Sequence, residues 1–232
     1  MAIGQASHAW LSGQLARAWA GEIESREETC LAAEQHDVGM AEWDLRPTLN
    51  LETGLPHSFM EMPLATHLEL WSRAAGKLVS QSAFAALLVS MHGTALYEMR
   101  DLDRMADEEA NAVREFLAER RAEQDELLAR LGKSREAAVP NQRLLWTWDF
   151  MSLALCLDWA PADGPDVRLE PAGDMCVAVD PWPFARDWLS VRCEGRRLDG
   201  GYASDAELHA ALERAPLVEL SWMLVPGGGA GR

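Results

Sequence analysis

Apolar residues recur at helical spacing through most of the first 160 residues of the chain. Leu11, Leu15, Ala18 and Trp19 predict a helix over about 7–20, with Ser7 as its candidate cap. A second helix is expected from about Glu27 to Asp37, stopped at Gly39. Residues 43–63 hold Pro47, Gly54, Pro56 and Pro63, but also Trp43, Leu49, Leu51 and Phe59. This stretch reads as a long ordered loop with apolar anchors, of the kind that is usually functional. Leu70, Trp71, Ala74 and Leu78 predict a helix over about 65–79. Phe84, Leu87, Leu88, Met91 and Leu96 predict another over 82–99. A charged helix over 103–131 carries a thin stripe of Phe116, Leu117, Leu127, Leu128 and Leu131, and a strongly apolar helix follows over 141–159.

After Pro161 the pattern changes. Residues 175–179, 189–193 and 217–225 are rich in Val, Leu and Trp and read as strands, with a short helix over 205–214. The expected domains are a helical body, 1–160, a small β-containing region packed on it, 161–226, and a disordered tail, 227–232. The run Asp180-Pro-Trp-Pro-Phe184 reads as a rigid turn that packs the β region on the helices. No internal repeat is visible.

Charge narrows the partners. With a formal net charge of −16, the chain repels nucleic-acid phosphates and acidic membrane surfaces, so neither is an expected partner. A small anionic substrate then needs local help from a metal or from arginines. Four cysteines without C-x-x-C spacing argue for a reducing compartment and against a zinc ribbon or a disulfide framework. No signal-peptide layout and no apolar run of about 20 residues is present, and the expected location is cytoplasmic. Self-association is compatible with the sequence.

The polar residues on apolar faces carry the chemistry. His8 is in register with Leu11 and Leu15. His92 stands four residues from both Leu88 and Leu96. Asp149 lies among Leu145, Trp148, Ser152 and Leu153, in the most apolar helix. A buried carboxylate is costly unless it is paired or bound to a metal. His36-Asp37 closes the second helix, where the turn at Gly39 lets both side chains reach one ion. Imidazole and carboxylate together suit Fe, Mn or Zn. Any one of these residues is more often an ordinary core or helix-end group. Their occurrence on four helices is what points to a shared divalent-metal site.

The order His8, His36-Asp37, His92, Asp149 resembles the HD-domain superfamily of helical metal-dependent phosphohydrolases. The likeness lies in the segments His8-Ala-Trp-Leu-Ser-Gly-Gln-Leu-Ala, Ala32-Ala-Glu-Gln-His36-Asp37-Val-Gly39 and Trp148-Asp149-Phe-Met-Ser152-Leu. Over nearly its whole length the chain also resembles an uncharacterised bacterial domain-of-unknown-function family. That likeness lies in His36-Asp37-Val-Gly39, Leu87-Leu-Val-Ser-Met-His92-Gly, Trp148-Asp149-Phe-Met-Ser152-Leu and Val179-Asp-Pro-Trp-Pro-Phe184. The first resemblance implies a mainly α, HD-domain-like helical bundle, here with a small C-terminal β-containing region (α+β). It also implies hydrolysis of a phosphate ester. In binuclear members two further histidines lie on separate helices, and His67 and His92 fit that layout. Asp37 would then bridge two ions about 3.5–4 Å apart. Di-iron oxygenases of the same fold share the layout, so the alternatives are an oxygenase or a non-catalytic metal- or ligand-binding protein.

The implied metal ligands are therefore His8, His36, Asp37, His67, His92 and Asp149. Asp37 and Glu34 are the candidate catalytic groups, and Glu42 and Asp44 are alternatives that serve equally well as loop caps. Arg46, His57 and Arg73 are the substrate-binding candidates, with Lys77 and Arg100 as further cations. Trp43, Phe59, Trp71 and Trp146 are candidate pocket walls, and His209 is expected at the surface. Two features of the superfamily's signalling phosphodiesterases are missing. Met40 follows Gly39 where those enzymes often carry lysine, and the Gly-Tyr-Pro signature is absent.

Overall fold

The computed structural model describes residues 1–228 and shows a mixed α+β protein. Its helices are α1 (Gln5–Ala18), α2 (Arg26–Gln35), α3 (Ala41–Leu45), α4 (Leu64–Ala74), α5 (Ala83–Glu98), α6 (Asp107–Leu131), α7 (Arg135–Cys156) and α8 (Asp205–Arg214). Strands β1 (Leu49–Asn50) and β2 (Leu55–Pro56) form a small antiparallel hairpin. The main sheet holds β3 (Ala162–Asp163), β4 (Arg168–Gly173), β5 (Cys176–Asp180), β6 (Leu189–Arg196) and β7 (Leu217–Pro226) in the order β3-β4-β5-β7-β6. Only β5 and β7 run parallel within it. Most of the expected tail, residues 229–232, lies outside the described residues.

The apolar periodicity placed the helices well, and the differences have local causes. Gly4, not Ser7, caps α1. Ser7 lies one turn inside, where its hydroxyl donates to the Glu194 carbonyl and accepts from the Glu194 N–H, stitching α1 to β6. The orphan N–H of Ala6 is met from a distance by the Asp44 carboxylate at 2.9 Å. Helix α7 begins six residues before Asn141, capped by Ser134, whose hydroxyl accepts from Ala137 N–H. Pro140 forfeits one helical bond there, to the carbonyl of the exposed Glu136. The expected 43–63 loop contains the end of α3 and the β1–β2 hairpin. Strand β4 escaped sequence reading because Pro171 and Gly173 break its alternation.

One core joins the two halves. Leu11, Leu87, Trp148 and Met151 of the helices share it with Leu169, Val179, Val191 and Leu224 of the sheet. The 180–184 turn does pack the sheet on the helices: Ala20 N–H donates to the Pro183 carbonyl, and the Trp19 ring meets Phe184 and Trp148 edge-on. Helix α1 is central, touching α2, α7 and β6. Its approach to α2 depends on Gly13, where a Cβ would stand 2.6 Å from the Glu34 Cβ. That closeness lets His8 reach the end of α2.

Candidate metal centre

Four helical segments deliver five side chains to one buried point. His8 comes from the second turn of α1, and His36 and Asp37 from the residues just after α2. His92 comes from the middle of α5 and Asp149 from the middle of α7. All five are at most 6% exposed. His8 Nε2 lies 2.6 Å from Asp37 Oδ2. His36 Nε2 lies 3.2 Å from Asp149 Oδ1 and 3.5 Å from Asp37 Oδ2, and His92 Nε2 is 3.4 Å from Asp149 Oδ2. The rings of His8 and His92 flank that of His36, with centroids 5.0 and 5.1 Å away. Two sets of ligand atoms are close enough to hold an ion: His8, His36 and Asp37, and His36, His92 and Asp149.

The hydrogen bonds around this cluster decide which ring atoms face inward. His36 Nδ1 lies 2.9 Å from the Ala33 carbonyl, which can only accept, so Nδ1 carries a proton. In the neutral ring Nε2 is then a bare lone pair, and it faces two carboxylates without a hydrogen-bond partner. His8 Nδ1 meets the Ser152 hydroxyl at 2.9 Å, and Ser152 in turn donates to the Asp149 carbonyl and receives Ser12. His8 Nε2 is hydrogen-bonded to Asp37 Oδ2 at 2.6 Å, and since the carboxylate can only accept, Nε2 is the donor. Rings fixed from behind, with their inner nitrogens turned toward two carboxylates, fit a cation in the middle.

The electrostatics state the same demand. No Lys or Arg pairs with Asp37 or Asp149 among the described residues; their ion-pair partners are histidines. Burial alone would lower His36, but the Asp37 and Asp149 carboxylates raise it to about 9. Burial would raise both aspartates, yet the His36 charge with the His8 bond holds Asp37 below its ordinary value. His36 and His92 hold Asp149 well below it. A positive charge, on protons or on a metal, is needed to balance the pair.

A cleft of about 350 Å³ opens over the cluster, lined by Met40, Phe59, Met62, His67, Trp71 and Arg100 beside the cluster itself. His67 therefore lies at the site, but outside both ligand sets. Trp71 N–H donates to its Nε2 at 3.2 Å, and its Nδ1 bonds the Tyr97 hydroxyl. Both ring nitrogens are engaged, so His67 is a wall of the cleft in this arrangement. Burial, helped by Arg100, pushes it down to about 4, which keeps the ring neutral.

Several expected contributors lie elsewhere. Glu34 turns away to pair with Arg17 of α1, because the tight crossing at Gly13 places that arginine beside it. Glu42 pairs with Lys77 at 3.2 Å, and Asp44 is committed to the start of α1. Arg46 is exposed and Arg73 pairs with Glu69 on its own helix; neither lines the cleft. His57 bonds Thr48 at 2.9 Å and faces a neighbouring groove. His209 is half-buried, its Nε2 on the Pro47 carbonyl at 2.9 Å. Arg100, over the Tyr97 ring at 4.7 Å, is the cation that does line the cleft. Of the aromatic candidates, Phe59 and Trp71 line the cleft, Trp146 packs on His92 with centroids 4.7 Å apart, and Trp43 lines the neighbouring groove. Ser12 and Ser152 stood in plain sight at helical spacing from His8 and Asp149. Tyr97 gave no such signal, since its meeting with His67 joins two helices.

No described helix is long and apolar enough to cross a membrane. No curated protein and no solved structure matches the chain significantly. A family profile does match residues 1–200, a span that includes every residue of the cluster and of the cleft. The chain thus belongs to the family described as "Protein of unknown function (DUF3891)".

Proposed function

We propose that the protein is a metal-dependent hydrolase of a small phosphate ester or a similar anion, with a centre of the HD-domain type. The observation that carries this reading is His36 Nε2, which is buried without a hydrogen-bond partner and faces Asp37 and Asp149 while Nδ1 on the other side of the ring donates to the Ala33 carbonyl. His8, His36, Asp37, His92 and Asp149 would hold divalent metal, with Fe, Mn or Zn suited to the nitrogen and oxygen donors. Bound there, such an ion polarises the scissile group and makes water a better nucleophile at neutral pH.

The rest of the work falls to the chain's own residues. Ala33 and Ser152 fix the rings of His36 and His8. Trp71 and Met62 give the cleft an apolar wall. Arg100 offers a positive charge to an incoming anion, and neutral His67 keeps the wall beside it free of competing charge.

The test is elemental analysis of protein loaded anaerobically with Mn or Fe, followed by a panel of phosphomonoesters and phosphodiesters. Bound metal, turnover and its arrest by a chelator are expected. Two irons with oxygen consumption would instead support a di-iron oxygenase. Full metal occupancy without turnover on any substrate would leave a metal-binding protein.

A further inference from the structure

Beside the metal cleft lies a larger groove of about 580 Å³, and the two share Gln5, His8, Phe59, Met60 and Leu153 as a common wall. Both volumes fall in the range of roughly 300–1,000 Å³ typical of small-molecule sites. The groove is lined mainly by apolar side chains, among them Ile3, Trp43, Leu55, Phe59, Leu157 and Leu217.

Several of its polar groups are already occupied, while the Glu194 carboxylate stands exposed at its edge. Asp44 accepts from Ala6, Arg196 donates to the Leu212 carbonyl at 3.0 Å, and His57 is bonded to Thr48. What remains for a ligand is mainly hydrocarbon surface. Among the described residues, six of the fourteen large apolar side chains left exposed line this one groove: Met1, Leu45, Leu55, Met60, Leu157 and Leu217. Apolar exposure concentrated in a concave site marks a binding surface rather than chance.

Taking the metal-dependent reading of the cleft as its basis, we propose that this groove receives an apolar chain attached to the anionic group held at the His/Asp centre. The substrate class is then an amphipathic anion, such as an alkyl or acyl phosphate ester. His8 joins the two cavities: it lines the groove while its Nε2 faces the centre. A ligand spanning the shared wall places its charged end beside Arg100 and the metal ligands and its tail along Leu55 and Leu217. A second copy of the chain would bury the groove but would not use its junction with the cleft.

The experiment measures binding of methyl-, hexyl- and dodecylphosphonate to Mn-loaded protein by calorimetry, below micelle formation. Affinity should rise by about threefold to fourfold per methylene until the groove is filled. Leu55→Glu and Leu217→Asp, both at exposed positions and checked for folding by circular dichroism, should flatten that gradient. If methylphosphonate binds and longer chains bind no better, the groove proposal falls while the metal reading stands. If no phosphonate binds the loaded protein, both fall. A gradient unchanged in both variants places the chain elsewhere and overturns the proposal. So does a concentration-dependent dimer, seen by sedimentation, that Leu217→Asp abolishes.

Discussion

At the scale of single residues, the proposed centre depends on how its rings are held as much as on the candidate ligands. The Ser152 hydroxyl sits behind His8 and links it to the Asp149 backbone. Ser152→Ala should weaken metal binding by about 10- to 100-fold, the usual loss when a partner behind a ligand is removed. A competition titration against a chelator reads this, and unchanged affinity would show that His8 is oriented by packing alone. His36→Ala and Asp37→Ala should abolish metal binding while most helical content remains, since the helices bury apolar faces of their own. Full stoichiometry in both would end the assignment. His67 makes a separate prediction. Its folded value of about 4 lies below the ordinary 6.5, so its contribution is complete above pH 6.5 and is lost as pH falls towards 4. Between pH 7 and 4.5, His67→Gln should lose about 2 kcal/mol less stability than the parent, read from urea midpoints.

At the scale of elements, α5 is the most instructive. Twelve of its sixteen residues are buried, so its apolar pattern runs almost all round the helix. It packs against α2, α4, α6 and α7. Gly93 lets the Trp71 ring of α4 lie against it, since a Cβ there would stand 2.5 Å from Trp71 Cε3. The helix begins at Ser82, whose hydroxyl accepts from Ala85 N–H at 3.1 Å. Ser82→Ala should cost about 1 kcal/mol of stability by thermal or urea unfolding. Metal stoichiometry should not change, because His92 lies more than two turns from the cap. Gly93→Ala should do the reverse of a benign surface change: the added methyl displaces Trp71, and with it the partner of His67 Nε2.

At the scale of the whole molecule, two buried carboxylates without a Lys or Arg partner among the described residues make the His/Asp cluster a weak point in an already acidic chain. Metal should therefore raise stability by linkage, by about 2.7 kcal/mol when free ion stands 100-fold above its Kd. The unfolding midpoint should rise with Mn in the parent and stay flat in His36→Ala. A parallel rise in both would place the metal elsewhere. The halves of the molecule are joined at Trp19, Trp148 and Phe184, so Phe184→Ala should cost about 3–5 kcal/mol. Since one core spans helices and sheet, that loss should be read as a single unfolding transition.

Read alone, the sequence determined the helical faces and what stood on them. Spacing relative to Leu11 and Leu15, to Leu88 and Leu96, and to Leu145 and Leu153 turned His8, His92 and Asp149 inward. Periodicity specifies a face because burial of an apolar stripe is a local property of the helix. It cannot specify which buried faces meet, since that depends on helix crossings set by contacts far apart in the chain. Those crossings decided the rest. The close approach at Gly13 sent Glu34 to Arg17, the meeting of α4 with α5 gave His67 Nδ1 to Tyr97 while Trp71 of its own helix took Nε2, and the fold of residues 43–63 carried Arg46 and His57 away from the cleft. The groove beside the centre was beyond sequence reading for the same reason. Its walls come from α1, the β1–β2 region, α7, β6 and β7, and only their packing leaves a hydrocarbon channel between them.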